Sequence, residues 1–127
     1  MPKKILVVDD DPDYRDLLCF NFEHAGFIVN TAVDGDDALI KVHLLVPDLI
    51  LLDVMMPDVD GFTVCEILRR DPATANVPII MLTALNSQLS RMRGMETGAT
   101  DYFAKPFDIK KLIARIEDLL HLKPAVA

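Results

Sequence analysis

The sequence predicts an α/β domain of the doubly wound type, (βα)5, in which five parallel strands alternate with five helices. Five short apolar runs recur along the 127 residues, and the intervals between them have helical periodicity. The first and third runs lack polar alternation, which is typical of strands covered on both faces of a parallel sheet. Because parallel neighbours need crossover connections, the intervening helices account for the rest of the chain.

The apolar runs are the predicted strands, and their lengths are usual for strands of small domains. The third run ends abruptly on one carboxylate, Asp53, which gains nothing from a core and must have solvent, a cation or a chemical task. The runs are KILVV (4–8), FIVNTA (27–32), DLILL (48–52), VPIIML (77–82) and TDYFA (100–104).

Capping residues and helix breakers delimit the five helices. Asp11 and Pro12 begin the first helix and Gly26 closes it, in keeping with the preference for Asp before and Gly after a helix. The other four are predicted from Gly35 and Asp36 to before Pro47, from Asp60 and Gly61 to Asp71, from about Asn86 to Thr97, and from about Asp108 to near His121. We expect residues 1–123 to form one domain and residues 124–127 a tail or linker stub.

Composition narrows the range of functions. The net charge of −7 argues against direct nucleic-acid binding by this domain and against binding to anionic membranes, because both need a basic surface. No apolar run approaches a membrane span, and no signal peptide is recognisable, so we expect a cytoplasmic protein. Cys19 and Cys65 have no CxxC spacing and are predicted to be packing residues in a reducing compartment.

Polar side chains follow four of the five predicted strands. Asp9 and Asp10 follow the first strand, Asp53 the third, Thr83 the fourth and Lys105 the fifth. In an open parallel sheet, ligands bind beyond the carboxyl ends of the strands, so these groups are expected to meet. Each of them alone would have an ordinary explanation as a turn residue, a strand end or a surface charge. Together they predict a site.

The charges at this edge indicate its chemistry. Asp9, Asp10 and Asp53 would repel one another when brought together, and an oxygen-seeking divalent cation relieves that repulsion. Lys105 adds a fixed positive charge, and Thr83 adds a hydroxyl. This combination resembles a cradle for a phosphoryl group, with a nucleophilic carboxylate that forms an aspartyl phosphate.

Neighbouring acids have simpler interpretations. Asp11 and Asp13 are predicted to serve the turn and the N-terminal cap of the first helix. Asp58 and Asp60 lie in the segment MPDVDG and are predicted to serve the turn and the cap before the third helix.

Four ordered motifs carry a resemblance to a known family. They are ILVVDDDP, PDLILLDVMMPDVDG, PIIMLTA and GATDYFAKPF, and with their surroundings they span residues 4–121. The chain resembles the receiver domain of bacterial two-component response regulators. The resemblance implies a flavodoxin-like sheet with the strand order 2-1-3-4-5.

The resemblance also implies a metal site and a phosphorylation site. Asp53 would be the phosphoacceptor, taking its phosphoryl group from a phosphohistidine on a sensor histidine kinase or a phosphotransfer protein. Asp10, Asp53 and the Met55 carbonyl would bind magnesium directly, with manganese a possible substitute. Asp9 would act largely through water.

Further roles follow from the same resemblance. Thr83 and Lys105 would bind phosphoryl oxygens, and the Lys105–Pro106 bond would be cis, aiming the lysine inward. Tyr102 matches the switch aromatic that turns inward with Thr83. The surface formed by the fourth helix, fifth strand and fifth helix would then control a downstream protein or a missing effector domain. Because the site is shared with the donor, the word enzyme fits only loosely.

Two features are particular to this sequence. Met55 and Leu85 are apolar and cannot orient an attacking water, so we predict slow self-dephosphorylation.

The first helix has more apolar residues than one face needs. Leu18, Phe22 and Ala25 form the stripe predicted to face the sheet. The remaining apolar residues either widen that buried stripe or form a docking patch for a helical phosphodonor; they are Tyr14, Leu17 and Phe20.

Two other functions fit parts of the sequence. A small phosphatase of the haloacid dehalogenase type would use the D-x-D pattern at residues 9–11, but it needs a longer chain with a cap and leaves Asp53 unexplained. A flavodoxin-like cofactor binder would need a phosphate loop after the first strand, where three acids repel phosphate.

Overall fold

The computed structural model describes residues 2–122 and has the predicted architecture, with five parallel strands in the order β2-β1-β3-β4-β5. The strands are β1 Lys4–Val8, β2 Ile28–Ala32, β3 Leu49–Leu52, β4 Ile79–Thr83 and β5 Asp101–Ala104. The helices are α1 Pro12–His24, α2 Gly35–Leu45, α3 Gly61–Arg70, α4 Gln88–Glu96 and α5 Ile109–Leu119. The predicted tail at 124–127 lies outside the described residues. Within the described part of the chain, no helix is long and apolar enough to cross a membrane.

The absence of polar alternation in the central strands follows from two buried faces. Leu6 and Val8 of β1 belong to the core beneath α2 and α3, whereas Ile5 and Val7 belong to the core beneath α1 and α5. Successive strand side chains point to opposite faces, so covering both faces requires apolar residues at every position. β3 and β4 are buried throughout for the same reason.

The strand register brings the polar strand ends to one level. Val8 of β1 lies opposite Leu52 of β3, and the Asp53 N–H donates to the Val8 carbonyl over 2.9 Å. At the other side of the sheet, the Lys105 N–H donates to the Thr83 carbonyl over 2.8 Å. The residue that follows each strand therefore emerges at the same edge.

The helix starts agree with the capping signals. Asp11 caps α1 by accepting from the Asp13 N–H at 2.9 Å, and Asp60 caps α3 by accepting from the Thr63 N–H at 2.9 Å. Asp58 has φ of 67° in the turn before α3. α4 begins two residues later than predicted because the cap of this helix is Ser87.

The prediction for one residue of the α1 stripe is wrong. Leu18 and Phe22 are fully buried, but Ala25 is exposed because α1 ends at His24 and Ala25 is its C-terminal cap. Cys65 is buried as predicted for a packing residue, whereas Cys19 is only half-buried.

Arg69, at the end of α3, ties two loops to that helix. Its guanidinium donates to the carbonyls of Val77 at 2.6 Å and Gly98 at 2.8 Å, which precede β4 and β5. Three further acceptors surround it: the Thr74 and Ala75 carbonyls and the Thr100 hydroxyl. One half-buried side chain thus fixes both connections.

His43 links α2 to the end of α3. Its Nε2 lies 2.6 Å from Asp71 Oδ2, and its Nδ1 lies 3.0 Å from the Leu39 carbonyl. Both neighbours are acceptors, so the imidazolium, with two N–H donors, satisfies both. The hydrogen bond to Asp71, followed by that to Leu39, raises the pKa of His43.

Candidate functional site

Three of the predicted site residues are buried in a cleft at the carboxyl edge of the sheet. Asp9 is 2% exposed, Asp53 6% and Thr83 0%. Lys105, which follows β5, extends to the same place with its side chain 9% exposed. Asp10 is exposed and forms the open side. The structure therefore brings together the groups that the sequence placed after four strands.

Lys105 bridges the two buried carboxylates. Its Nζ lies 2.7 Å from Asp9 Oδ2 and 3.4 Å from Asp53 Oδ2. Burial disfavours the ammonium, but the hydrogen bond to Asp9 and the charges of Asp53 and Asp9 outweigh this and raise the pKa of Lys105. The lysine is therefore held as a cation inside the site. The Lys105–Pro106 bond is cis, as the resemblance implied.

Asp53 is held in an environment that disfavours its charge. Burial, and then the nearby charge of Asp9, raise the pKa of its carboxyl above the ordinary value. Lys105 opposes this rise, as do the N–H of Met55, which donates to Asp53 Oδ1 over 3.1 Å, and the hydroxyl of Thr83. The repulsion expected between the acids is therefore present, and one lysine does not cancel it.

The acidic cluster suits a hard divalent cation. One carboxylate oxygen from each of Asp9, Asp10 and Asp53 lies within 4.8 Å of the others. Carboxylate oxygens are the ligands that magnesium prefers, and an added cation would offset the repulsion that raises the pKa of Asp53.

Backbone contacts fix the loop that carries Asp9. Its Oδ1 accepts from the Asp11 N–H over 2.9 Å, and Arg15 Nη1 donates to its carbonyl over 2.7 Å. The sequence reasoning missed Arg15, since a lone arginine in a helix gives no signal that it reaches back to the preceding loop.

Gly61 allows the loop that carries Asp53 to approach α3. A Cβ at this position would lie 2.3 Å from the Asp53 carbonyl oxygen and 2.7 Å from Val54 Cα. Contacts this short with backbone atoms cannot be relieved by a side-chain rotation. Sequence reasoning had assigned Gly61 only to the start of the helix.

A chain of contacts joins Thr83 to Tyr102 through Leu85. The Thr83 hydroxyl oxygen accepts from the Leu85 N–H at 3.3 Å, and the Tyr102 hydroxyl donates to the Leu85 carbonyl at 2.7 Å. The Tyr102 ring lies inward and is 2% exposed. Arg91 of α4 donates to the Tyr102 carbonyl at 2.9 Å, and its guanidinium lies 5.2 Å from the ring centroid.

Two of the three outer apolar residues of α1 line one groove, and the third lies outside it. Leu17 is 48% exposed and Phe20 71% exposed, so the interpretation as a wide buried stripe is wrong for these two. Leu17 and Tyr14 line a groove of about 350 Å³ with Pro106 and Phe107. The Phe20 ring instead stacks against the His24 ring of the same helix. The docking role of all three stays a prediction.

The model of the response regulator receiver domain matches residues 5–117. The chain belongs to the response regulator receiver domain family. Within the family, it is 50% identical over 120 residues to the DNA-binding dual master transcriptional regulator RpaA of Synechocystis, covering 94% of this chain and 49% of that protein. It is 45% identical over 127 residues to the phosphate regulon regulatory protein PhoB of Rhizobium meliloti, covering 99% and 56%. The chain thus spans about half the length of these relatives.

Solved structures agree with the fold of this receiver domain. A response regulator structure from Chloroflexus aurantiacus superposes with a TM-score of 0.91 at 37% identity, covering 95% of this chain and 99% of that one. The receiver fold predicted from the motifs is confirmed. The family match does not favour the haloacid dehalogenase alternative, and it gives no support to a flavin-binding function.

Proposed function

We propose that this receiver domain is a phosphorelay switch that accepts a phosphoryl group on Asp53 with the help of magnesium. The observation that carries the proposal is the placement of Asp53. It is a buried carboxylate at the end of the central strand, 3.4 Å from a lysine ammonium and clustered with two further carboxylates.

The transfer requires an ionised Asp53. One carboxylate oxygen attacks the phosphorus of a phosphohistidine, the phosphorus–nitrogen bond breaks, and the electron pair leaves with the imidazole. The product is an acyl phosphate on Asp53. Lys105 and the N–H of Met55 stabilise the carboxylate against the burial that raises its pKa. The remaining work is positioning and neutralisation of phosphoryl charge.

Asp9, Asp10, Asp53 and the carbonyl of Met55 would hold the cation, with manganese an acceptable substitute. Magnesium supplies positive charge to the phosphoryl oxygens when it is bound. Lys105 would exchange part of its contact with Asp9, now 2.7 Å, for a phosphoryl oxygen. The Thr83 hydroxyl would donate to another.

The response would pass from Thr83 to Tyr102 through Leu85, whose N–H and carbonyl contact the two side chains. The resemblance implied a Tyr102 ring that turns inward, and in this structure the ring is already inside. Phosphorylation would therefore stabilise the inward ring and the surface formed by α4, β5 and α5, biasing a two-state element.

The proposed partners follow from the family. A sensor histidine kinase or phosphotransfer protein would supply the phosphoryl group, docking near Tyr14, Leu17 and Phe20. The output would be a downstream protein or an effector domain. We also propose a cytoplasmic location and a receiver domain that covers residues 1–123.

The test is phosphorylation by acetyl phosphate with magnesium, followed by intact-mass measurement and peptide mapping of the acyl phosphate. We expect one phosphate on Asp53, absent from Asp53→Asn and absent when the metal is chelated. An acyl phosphate on Asp9, retained in Asp53→Asn, would instead support the phosphatase alternative.

A further inference from the structure

We propose that Tyr14 is a positioning residue for Lys105, and this inference rests on the proposed phosphorylation of Asp53. The sequence placed Tyr14 on the outer side of α1, as packing or partner docking. In the structure, its ring faces the site, and the Lys105 Nζ lies 3.9 Å from the ring centroid.

The tyrosine completes the enclosure of the ammonium. The Lys105 Nζ lies 2.7 Å from Asp9 Oδ2 and 3.4 Å from Asp53 Oδ2, and the ring of Tyr14 adds a further contact. With these neighbours, the lysine side chain is only 9% exposed. The Lys105 ammonium is therefore shielded from water by two carboxylates and an aromatic face.

The ring itself is held by its surroundings. It lies 6.2 Å from the Phe107 ring, centroid to centroid, at an interplanar angle of 35°. α1 is anchored one turn further along by Leu18, which is 1% exposed. Phe107 follows Lys105 by two residues, so the same contact joins α1 to the loop that carries the lysine.

An aromatic face suits this position better than a polar group. The face of the ring carries negative electrostatic potential and attracts the ammonium without accepting one of its hydrogen bonds. Lys105 has three N–H donors, and without a third oxygen acceptor beside it the ammonium can turn one donor to a phosphoryl oxygen as it gives up part of its contact with Asp9. An additional carboxylate here would compete for that donor and add charge to a cluster of acids. A leucine would preserve bulk but not the attraction.

The contact with Tyr14 holds the Lys105 ammonium in position before the reaction begins. Groups held in place before the reaction need no reorganisation when charge develops on the phosphoryl oxygens. Without the ring, Lys105 gains room to move toward solvent, and the rate of phosphorylation falls even though every group that touches the phosphoryl group is still present.

The test compares Tyr14→Phe, which keeps the aromatic face, with Tyr14→Leu, which keeps an apolar side chain but loses the ring. The first measurement is the NMR shift of the Lys105 ε-methylene protons in metal-free protein, assigned with Lys105→Arg. An overlying ring moves these signals upfield. We expect the upfield shift in wild type and Tyr14→Phe, and its loss in Tyr14→Leu.

The second measurement is the rate of Asp53 phosphorylation by acetyl phosphate with magnesium. Tyr14→Phe should react like wild type, and Tyr14→Leu about fivefold more slowly, as expected for loss of a shielded cation–π contact. If Tyr14→Leu does not fold, Tyr14→Met serves in its place.

Either of two results would overturn the inference: no upfield shift in wild type, or equal rates for the Phe and Leu variants. If wild type shows the shift but accepts no phosphate, the proposed function fails, and the tyrosine contact is then structural only.

Discussion

Gly94 offers a decisive test of how α4 accommodates the inward Tyr102 ring. Gly94 is buried in the helix, and a Cβ there would lie 2.8 Å from Met81 Sδ and 2.9 Å from Tyr102 Cδ2. The thioether of Met81 belongs to a flexible side chain and can move. The tyrosine ring is rigid and buried against α4, so in Gly94→Ala the ring has to shift.

Two opposing effects decide the magnitude. In an open helix, replacing Gly by Ala stabilises by about 0.5–1 kcal/mol. Overpacking a buried position costs about 1–3 kcal/mol, and a displaced ring also loses the hydrogen bond from Tyr102 to the Leu85 carbonyl, worth about 1 kcal/mol. The cost of the steric clash therefore exceeds the gain in helix propensity. We expect Gly94→Ala to lower the free energy of unfolding by about 1–3 kcal/mol and Tm by about 4–11 °C.

The assay is urea unfolding of wild type, Gly94→Ala, Tyr102→Ala and the double variant. If the ring is the cause, the alanine at 94 destabilises wild type but stabilises the Tyr102→Ala background by about 0.5–1 kcal/mol, the value of helix propensity alone. Tyr14 and Tyr102 are the two tyrosines of a chain without tryptophan, so the emission of a Tyr14→Phe background reports the ring directly. Stabilisation by Gly94→Ala in both backgrounds would refute the reasoning.

Three further predictions follow from other contacts. Arg69→Met should lower the free energy of unfolding by about 3 kcal/mol, because charged hydrogen bonds that fix two loops are lost. His43, whose pKa is raised mainly by Asp71, should titrate above its ordinary value of 6.5 in an NMR experiment. The stability from this pair should be complete below the unfolded-state pKa of His43 and be lost as pH rises through the raised folded-state value. Met55→Asn should lose its phosphoryl group several-fold faster than wild type, measured as decay of the acyl phosphate, because the amide can orient water.

Each of these has a control within the chain. Arg70→Met, at the exposed neighbouring position, should change stability by less than about 0.5 kcal/mol, and an equal loss would contradict the loop-fixing role of Arg69. The raised pKa of His43 should return toward its ordinary value in Asp71→Asn. Leu44→Asn, at an exposed position of α2, should leave the decay rate of the acyl phosphate unchanged. If Met55→Asn also leaves that rate unchanged, the water-positioning explanation is excluded.

Much of the site could be predicted because strand ends in a parallel sheet share one edge. Asp53 and Lys105 are far apart in the chain, yet each follows an apolar run, and topology brings such residues together. The contacts of Tyr14 could not be predicted in this way. A tyrosine on a helix has the same periodicity whether its ring faces a partner, a core or a lysine, and only the approach of the loop after β5 distinguishes these cases.

The close approach at Gly94 could be predicted only in part from the sequence. A glycine inside a helix costs about 1 kcal/mol and so signals some close approach, but the sequence does not say to what.

The sequence by itself determined the α/β class, the order of elements and the carboxylates, hydroxyl and ammonium at the edge of the sheet. These depend on local periodicity, capping and the rule that parallel strands end together. Only the tertiary structure decided that Lys105 lies closer to Asp9 than to Asp53, that Tyr102 packs inside beneath Gly94, and that Tyr14 contacts the ammonium. Those arrangements depend on differences of less than one ångström in the approach of segments remote in sequence, which packing sets and a pattern of residue types does not encode.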